Sequence, residues 1–175
     1  VNISRQHIIR AVIIIFFAAT AIAIASATIG REIYDVSPES LLSFGIVNFS
    51  GYLFFLVMPV ELAFIYYLQS PLSFFMLNIV AVLTAVAAQL ADYYIGRSLS
   101  TRFIDQLIGR HRYLKAEEEI RKYGNIAIFL FNLLPLSSPV ILLAAGMLRH
   151  PLRQAILYSV LGLIIKYLLI TVFFL

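Results

Sequence analysis

The chain has 175 residues, 62% of them hydrophobic and 13% charged, with a formal net charge of +4. Soluble domains run at roughly 45–50% and 25%, and a domain of this length still exposes about a third of its surface, so this composition excludes a water-soluble fold and specifies an all-α integral membrane protein. It also argues against a nucleic-acid partner, because the positive charge serves first as a topology signal; the absence of cysteine excludes disulfides, a thiol nucleophile and a Cys-ligated metal.

The first apolar run, 11–29, follows Arg5 and Arg10 and measures about 28 Å as a helix, enough to span. Ala19, Ala23 and Ala27 recur at every fourth position, the spacing that lets another helix approach closely. Ala25-Ser26-Ala27 offers a rival reading as a signal-peptide cleavage site, but the stretch is long for one and reads as a membrane helix. The following link sets Arg31 against Glu32, Asp35 and Glu39. The next run, 41–69, is interrupted by Met58-Pro59-Val60-Glu61. A proline breaks the helical ladder, and a carboxylate beside it is costly in lipid. This run is either one kinked span or a re-entrant hairpin with Pro59 and Glu61 at its tip.

Residues 72–95 predict an uninterrupted spanning helix with Ala81, Ala85 and Ala88 as a close-packing face. It closes on Asp92-Tyr93-Tyr94-Ile95-Gly96-Arg97. Region 97–123 is the one substantial polar part, and its bases outnumber its acids. Leu99, Phe103 and Leu107 share a helical face, so this region reads as a solvated amphipathic connector at the cytoplasmic surface. Residues 125–148 are apolar again but broken by Pro135-Leu136-Ser137-Ser138-Pro139. Each arm is about 14 Å as helix, half a bilayer. Residues 152–175 form a last span with Lys166 near its middle.

Bases favour the cytoplasmic side, which places the N-terminus and region 97–123 inside and the acidic link outside. The segment 125–148 has Arg121 and Lys122 before it and Arg149 and Arg153 after it. A single crossing would put one pair outside, whereas a hairpin keeps both inside. The segment 41–69 lacks flanking bases and reads as a hairpin entering from the outer face. Pro59 and Pro71 are 12 residues apart, as are Pro139 and Pro151, and each second proline opens a span as Pro-Leu. The expected architecture is therefore three spanning helices with two opposed re-entrant hairpins in an inverted repeat, a plan that puts a transport site at the repeat interface.

Met58-Pro59-Val60-Glu61, Tyr94-Ile95-Gly96-Arg97, Lys122-Tyr123-Gly124, Pro135 and Ala144-Ala145-Gly146-Met147, taken in order, resemble the DedA superfamily, the VTT-domain or SNARE-associated Golgi proteins. The likeness runs from about residue 44 to 175. It implies facing re-entrant hairpins and movement of lipids across the bilayer, either polyprenyl-phosphate carriers or phospholipids, with proton coupling through hairpin acids. Family members carry arginines about three residues before and after the second hairpin's proline, where this chain has Asn132 and Ser138. Arginine capture of phosphate therefore does not transfer. The chain looks more like the small archaeal branch, in which a lysine sits in the last helix.

Glu61 and Lys166 are the clear ionisable residues at membrane depth, with Asp92 a turn from the cytoplasmic end. An unpaired charge there costs at least about 2.5–3.5 kcal/mol. Glu61 is expected to exchange a proton or pair with Lys166 as the site alternates, with Lys166 supplying positive charge for a lipid phosphate; the competing expectation is a static Glu61–Lys166 bridge. Asp92 and Arg97 read either as a helix-end anchor, through a local ion pair and lipid headgroups, or as a proton-carrying acid (Asp92) and a substrate contact (Arg97). Asn132, Ser137 and Ser138 either bond a phosphate, helped by the helix N-terminus near Pro139, or satisfy carbonyls freed by the prolines. His7, His111 and His150 lack metal-ligand spacing, and no hydrolase elbow, phosphate loop or zinc motif is present. The expectation is thus a multi-pass cell-membrane lipid transporter, not an enzyme, without cofactor or metal, its expected partners being lipids, protons and a second copy as homodimer. A proton-coupled carrier of a small ion or solute, and a non-transporting structural module, are the other readings.

Overall fold

The computed structural model describes residues 40–53, 60–98, 110–134 and 138–175. The apolar run 11–29, Pro59, the face of Leu99, Phe103 and Leu107, and Pro135 with Ser137 lie outside the described residues. The described chain is all-helical: α1 (Leu41–Tyr52), α2 (Val60–Leu68), α3 (Phe74–Ser98), α4 (Arg110–Tyr123), α5 (Asn125–Leu133), α6 (Ser138–Met147) and α7 (Leu152–Phe174).

The two long helices, α3 with 25 residues and α7 with 23, have mean hydropathies of 2.1 and 2.2 in their most apolar windows. Only 28% and 33% of those windows are buried inside the protein. A core helix of a soluble protein would be mostly covered. Here Leu83, Leu157, Leu161 and Leu168 face outward, so these helices are long and apolar enough to cross a bilayer and have the bare surface that lipid covers. The helix expected over 72–95 corresponds to α3, which starts two residues later and continues to Ser98.

Local chemistry sets the helix ends. Ser40 caps α1 by a reciprocal pair with Ser43: its Oγ accepts from the Ser43 N–H at 3.1 Å, and Ser43 Oγ accepts from the Ser40 N–H at 3.3 Å. Pro139 falls in the first turn of α6, where its missing N–H has no helical partner to lose. Gly124, at φ 56° and ψ −127°, turns the chain from α4 into α5, a conformation that a side chain would oppose. After α6, Arg149 takes the left-handed conformation (φ 53°), and the His150 N–H donates to the Ala145 carbonyl at 2.9 Å, closing the helix end.

Both broken apolar stretches turn back on themselves. At the start of α1, Ser43 Oγ lies 3.2 Å from the Tyr67 hydroxyl near the end of α2, and the Phe44 ring packs on Tyr67 at 5.2 Å. At the far end Gly51 faces Val60. Helices α1 and α2 are therefore antiparallel. In the second stretch His150 Nε2, just past α6, lies 2.6 Å from Asn125 Oδ1 at the start of α5, so the chain enters and leaves at one place.

Helices α3 and α7 are antiparallel too. Asn78 Nδ2, early in α3, donates to Thr171 Oγ1, late in α7, at 2.9 Å, while Ser159, early in α7, donates to Gln89 on the second half of α3. The first helical pair opens beside the start of α3. The second opens beside the start of α7, where Asn125 Nδ2 donates to Gln154 Oε1 at 3.2 Å. The pairs thus open at opposite ends of the α3–α7 unit. Their packing is exchanged: α1 lies on α3 and α5 on α7, whereas α6 lies along α3 and α2 touches both long helices.

Glycine makes the closest of these approaches possible. A Cβ at Gly96 would collide with the Leu143 carbonyl, and one at Gly146 with the Tyr93 carbonyl. The strings Tyr94-Ile95-Gly96-Arg97 and Ala144-Ala145-Gly146-Met147 therefore meet backbone to backbone. Ala81, Ala85 and Ala88 are fully buried along the same side of α3. Helix α4 covers α6 through Ala116 and Ile120.

Candidate functional site

The acid and base singled out in the sequence meet where the first helical pair touches α7. Glu61, the second residue of α2, sits beside the break between α1 and α2, and Lys166 lies in the body of α7. Lys166 Nζ donates to Glu61 Oε1 at 2.9 Å. The lysine side chain is 4% exposed and that of Glu61 26%, so the acid is the accessible member. A buried charge pair of this kind needs further hydrogen bonds to offset lost hydration.

Tyrosines supply them. Lys166 Nζ also donates to the Tyr52 hydroxyl at 2.7 Å and lies 5.2 Å and 5.4 Å from the ring centres of Tyr52 and Tyr167, within cation–π range. The Tyr167 hydroxyl donates to Asn48 Oδ1 at 3.0 Å and lies 3.1 Å from the Tyr52 hydroxyl. Asn48 Nδ2 donates to the Ala81 carbonyl at 2.9 Å and to Thr84 Oγ1 at 2.7 Å. Thr84 passes its proton to the Val80 carbonyl at 2.6 Å. One line of polar groups thus ties α2, α7, α1 and α3 together. Its far end, Thr84, lines an open apolar groove of about 660 Å³ between α1 and α3, with Gly45, Ile46 and Phe49.

A second, uncharged cluster joins α3, α5 and α7. Gln89 Nε2 donates to Asn132 Oδ1 at 2.5 Å, Ser159 donates to Gln89 Oε1, and Asn132 Nδ2 donates back to the Ile128 carbonyl at 2.9 Å. All three side chains are fully buried. Asn132 is therefore sealed and engaged at both ends of its amide, an arrangement that holds helices together rather than presenting a donor to a headgroup. Ser138 opens α6, as Pro139 does, while Ser137 and the tip prolines Pro59 and Pro135 lie outside the described residues.

Asp92 and Arg97, expected as a helix-end anchor, lie on different sides of α3. Five residues put them about 140° apart around a helix, and accordingly Asp92 is buried while Arg97 is exposed. Lys166 is engaged below the surface by Glu61 and Tyr52. At the mouth of the second pair, burial pushes the His150 imidazole below its usual range, and Tyr93 donates to the His150 carbonyl at 2.5 Å. No group of three His, Asp or Glu side chains that could hold a metal occurs among the described residues.

Sequence reasoning missed Tyr52, Tyr167, Asn48, Gln89 and Ser159. A signal was available for two of them: Asn48 and Gln89 are amides within apolar runs, where each must find a partner. The tyrosines offered none, because Tyr is also the ordinary residue of a membrane interface.

The family model of the VTT domain matches residues 42–175, well over half of the chain. No curated protein and no solved structure matches.

Proposed function

The chain belongs to the VTT domain family, and on that premise we propose that it is a DedA-type membrane transporter that moves lipid or polyprenyl-phosphate headgroups across the bilayer, with Glu61 as the proton-exchanging acid. The carrying observation is the Glu61–Lys166 pair, 2.9 Å long, between the first helical pair and α7. In this reading 41–69 and 125–148 are re-entrant hairpins in an inverted repeat. The antiparallel α3 and α7 and the opposite openings of the two helical pairs support it, because an inverted plan carries its transport site between the facing tips.

Charge balance links the pair to transport. While Glu61 is ionised the pair is neutral and latches α2 to α7. When Glu61 takes up a proton, Lys166 is left as a buried cation, and separating such partners costs on the order of 3–5 kcal/mol. An anionic headgroup arriving at that moment restores neutrality. Protonation and headgroup entry therefore favour the same open state, and Lys166 becomes available to phosphate only then.

Vesicles carrying the purified protein and a fluorescent short-chain phospholipid test this by albumin extraction across a pH series. Wild type is expected to move lipid with a pH-dependent rate, and Glu61→Gln to move it without pH dependence or not at all. An unchanged pH profile in Glu61→Gln refutes the role of Glu61. Uptake of solute with no lipid movement would favour a small-solute carrier instead, and neither activity would favour a structural module.

A further inference from the structure

Arg149 is the only residue other than glycine with a positive φ among the described residues, at 53°. The turn after α6 fixes it there: the Arg149 N–H donates to the Gly146 carbonyl at 3.1 Å, and the His150 N–H to the Ala145 carbonyl at 2.9 Å. The next residue is pinned as well, since Tyr93 donates to the His150 carbonyl and Asn125 Oδ1 lies 2.6 Å from His150 Nε2. This is the helix-ending position that glycine usually fills, because a Cβ opposes the left-handed conformation. An arginine here stands against backbone preference, and a departure of this kind calls for a gain from the side chain. Membrane topology does not supply that gain. A topology signal needs a base near the end of a span, and a neighbouring position without the unfavourable conformation would serve equally well.

The guanidinium has no countercharge in its own part of the chain. From residue 124 to 175 the sequence contains Arg149, Arg153 and Lys166 but no Asp or Glu, and Lys166 is held by Glu61. Of the acids on α4, Glu117 pairs with Arg121, and neither Arg149 nor Arg153 forms an ion pair among the described residues. Both arginines are exposed at the mouth of the second helical pair. Beyond them α7 offers an apolar track. Arg153, Leu157, Leu161 and Leu168 fall within about 80° of one another around the helix, and all three leucines are exposed. A charged head above a long bare apolar side matches an amphiphile, whereas a free anion leaves the track unused. We propose that Arg149, with Arg153, docks the phosphate headgroup of an anionic lipid at the mouth of the second pair, the lipid chains lying along α7. Its role as an entry point rests on the transport reading; the binding itself does not.

Arg149→Gly separates the two consequences of the arginine. Relieving the backbone should raise the thermal unfolding midpoint in dodecyl maltoside micelles by about 2–4 °C. The same variant should bind phosphatidic acid, added to the micelles and counted by native mass spectrometry, about tenfold more weakly than wild type. Arg149→Lys, which keeps the charge, should lose much less. Phosphatidylcholine should bind wild type and Arg149→Gly alike, and inorganic phosphate should not displace phosphatidic acid. Equal binding of phosphatidic acid by wild type and Arg149→Gly overturns the proposal, and so does displacement by inorganic phosphate, which marks a free-anion site. Weaker binding with an unfolding midpoint that fails to rise shows an arginine needed by the fold, and overturns it too. Arg149→Asn, which also tolerates the left-handed conformation, takes both measurements if Arg149→Gly cannot be purified. Arg149-dependent binding without lipid movement in vesicles leaves the docking site standing and removes the transport reading; lipid movement without such binding does the reverse.

Discussion

Lys166 illustrates how one buried charge organises its neighbours. The ammonium is 4% exposed and tolerable only because a carboxylate and a hydroxyl lie within 2.9 Å. Lys166→Met keeps most of the stem volume but strands the Glu61 carboxylate and a tyrosine lone pair. It should cost about 3 kcal/mol, at the lower end for breaking a buried pair because Glu61 retains some access to water. Adding Glu61→Gln should recover part of that loss, since both charges are then gone. Denaturant unfolding of the two single variants and the double variant in micelles gives the coupling; strict additivity would mean the pair contributes nothing. Glu61 and Lys166 were legible in the sequence because charges in apolar runs must find one another. Their setting was not. Tyr52 and Tyr167 are 115 residues apart in the chain, and no local pattern marks two tyrosines that fold onto the same lysine.

Among the helices, glycine separates contacts that look alike in sequence. Gly45 and Gly96 both lie on helices packed against others, but a Cβ at Gly45 would rest 3.3 Å from the Val80 Cγ1 methyl, which can shift. The Gly96 Cβ would meet the Leu143 backbone carbonyl, which cannot shift without moving α6. Gly45→Ala should change stability by less than about 1 kcal/mol, helical propensity offsetting the tight methyl. Gly96→Ala should cost about 1–3 kcal/mol or more by overpacking. Thermal unfolding of the two variants in one detergent makes the comparison, and equal losses would show that α3 and α6 are not in backbone contact. Helix existence and order were readable from apolar runs and proline breaks, and the alanines at 81, 85 and 88 correctly marked a buried face. The partner of that face was not readable. Small residues advertise a close approach without naming what approaches, and α6 comes to α3 from the other half of the chain.

The described helices fall into two sets of the same order, each a pair of short helices followed by a long one, with α4 between the sets. The spacing of the prolines at 59, 71, 139 and 151 and the bases flanking 125–148 are the sequence features on which the proposed repeat and the proposed return of 125–148 rest. The packing of α6 along α3, and of α2 against both long helices, carried no such signal, because it depends on which surfaces fit. Orientation in the bilayer can be tested directly. Ser70 follows α2 at the mouth of the first pair, His150 lies at the mouth of the second, and His111 is on α4, beyond the end of α3. Since the chain contains no cysteine, Ser70→Cys, His111→Cys and His150→Cys each introduce one label site. In intact cells an impermeant maleimide should reach residue 70 and should reach 111 and 150 only after permeabilisation. The first contrast, 70 against 111, tests whether α3 crosses the bilayer. The second, 70 against 150, tests whether the pairs open to opposite faces: one crossing by α3, followed by a segment that returns, leaves 150 on the side of 111. If 70 and 150 were labelled from the same side while 111 was not, the segment 125–148 would cross the bilayer, its tip would not face Glu61, and lipid headgroups would lack the second wall of the proposed passage.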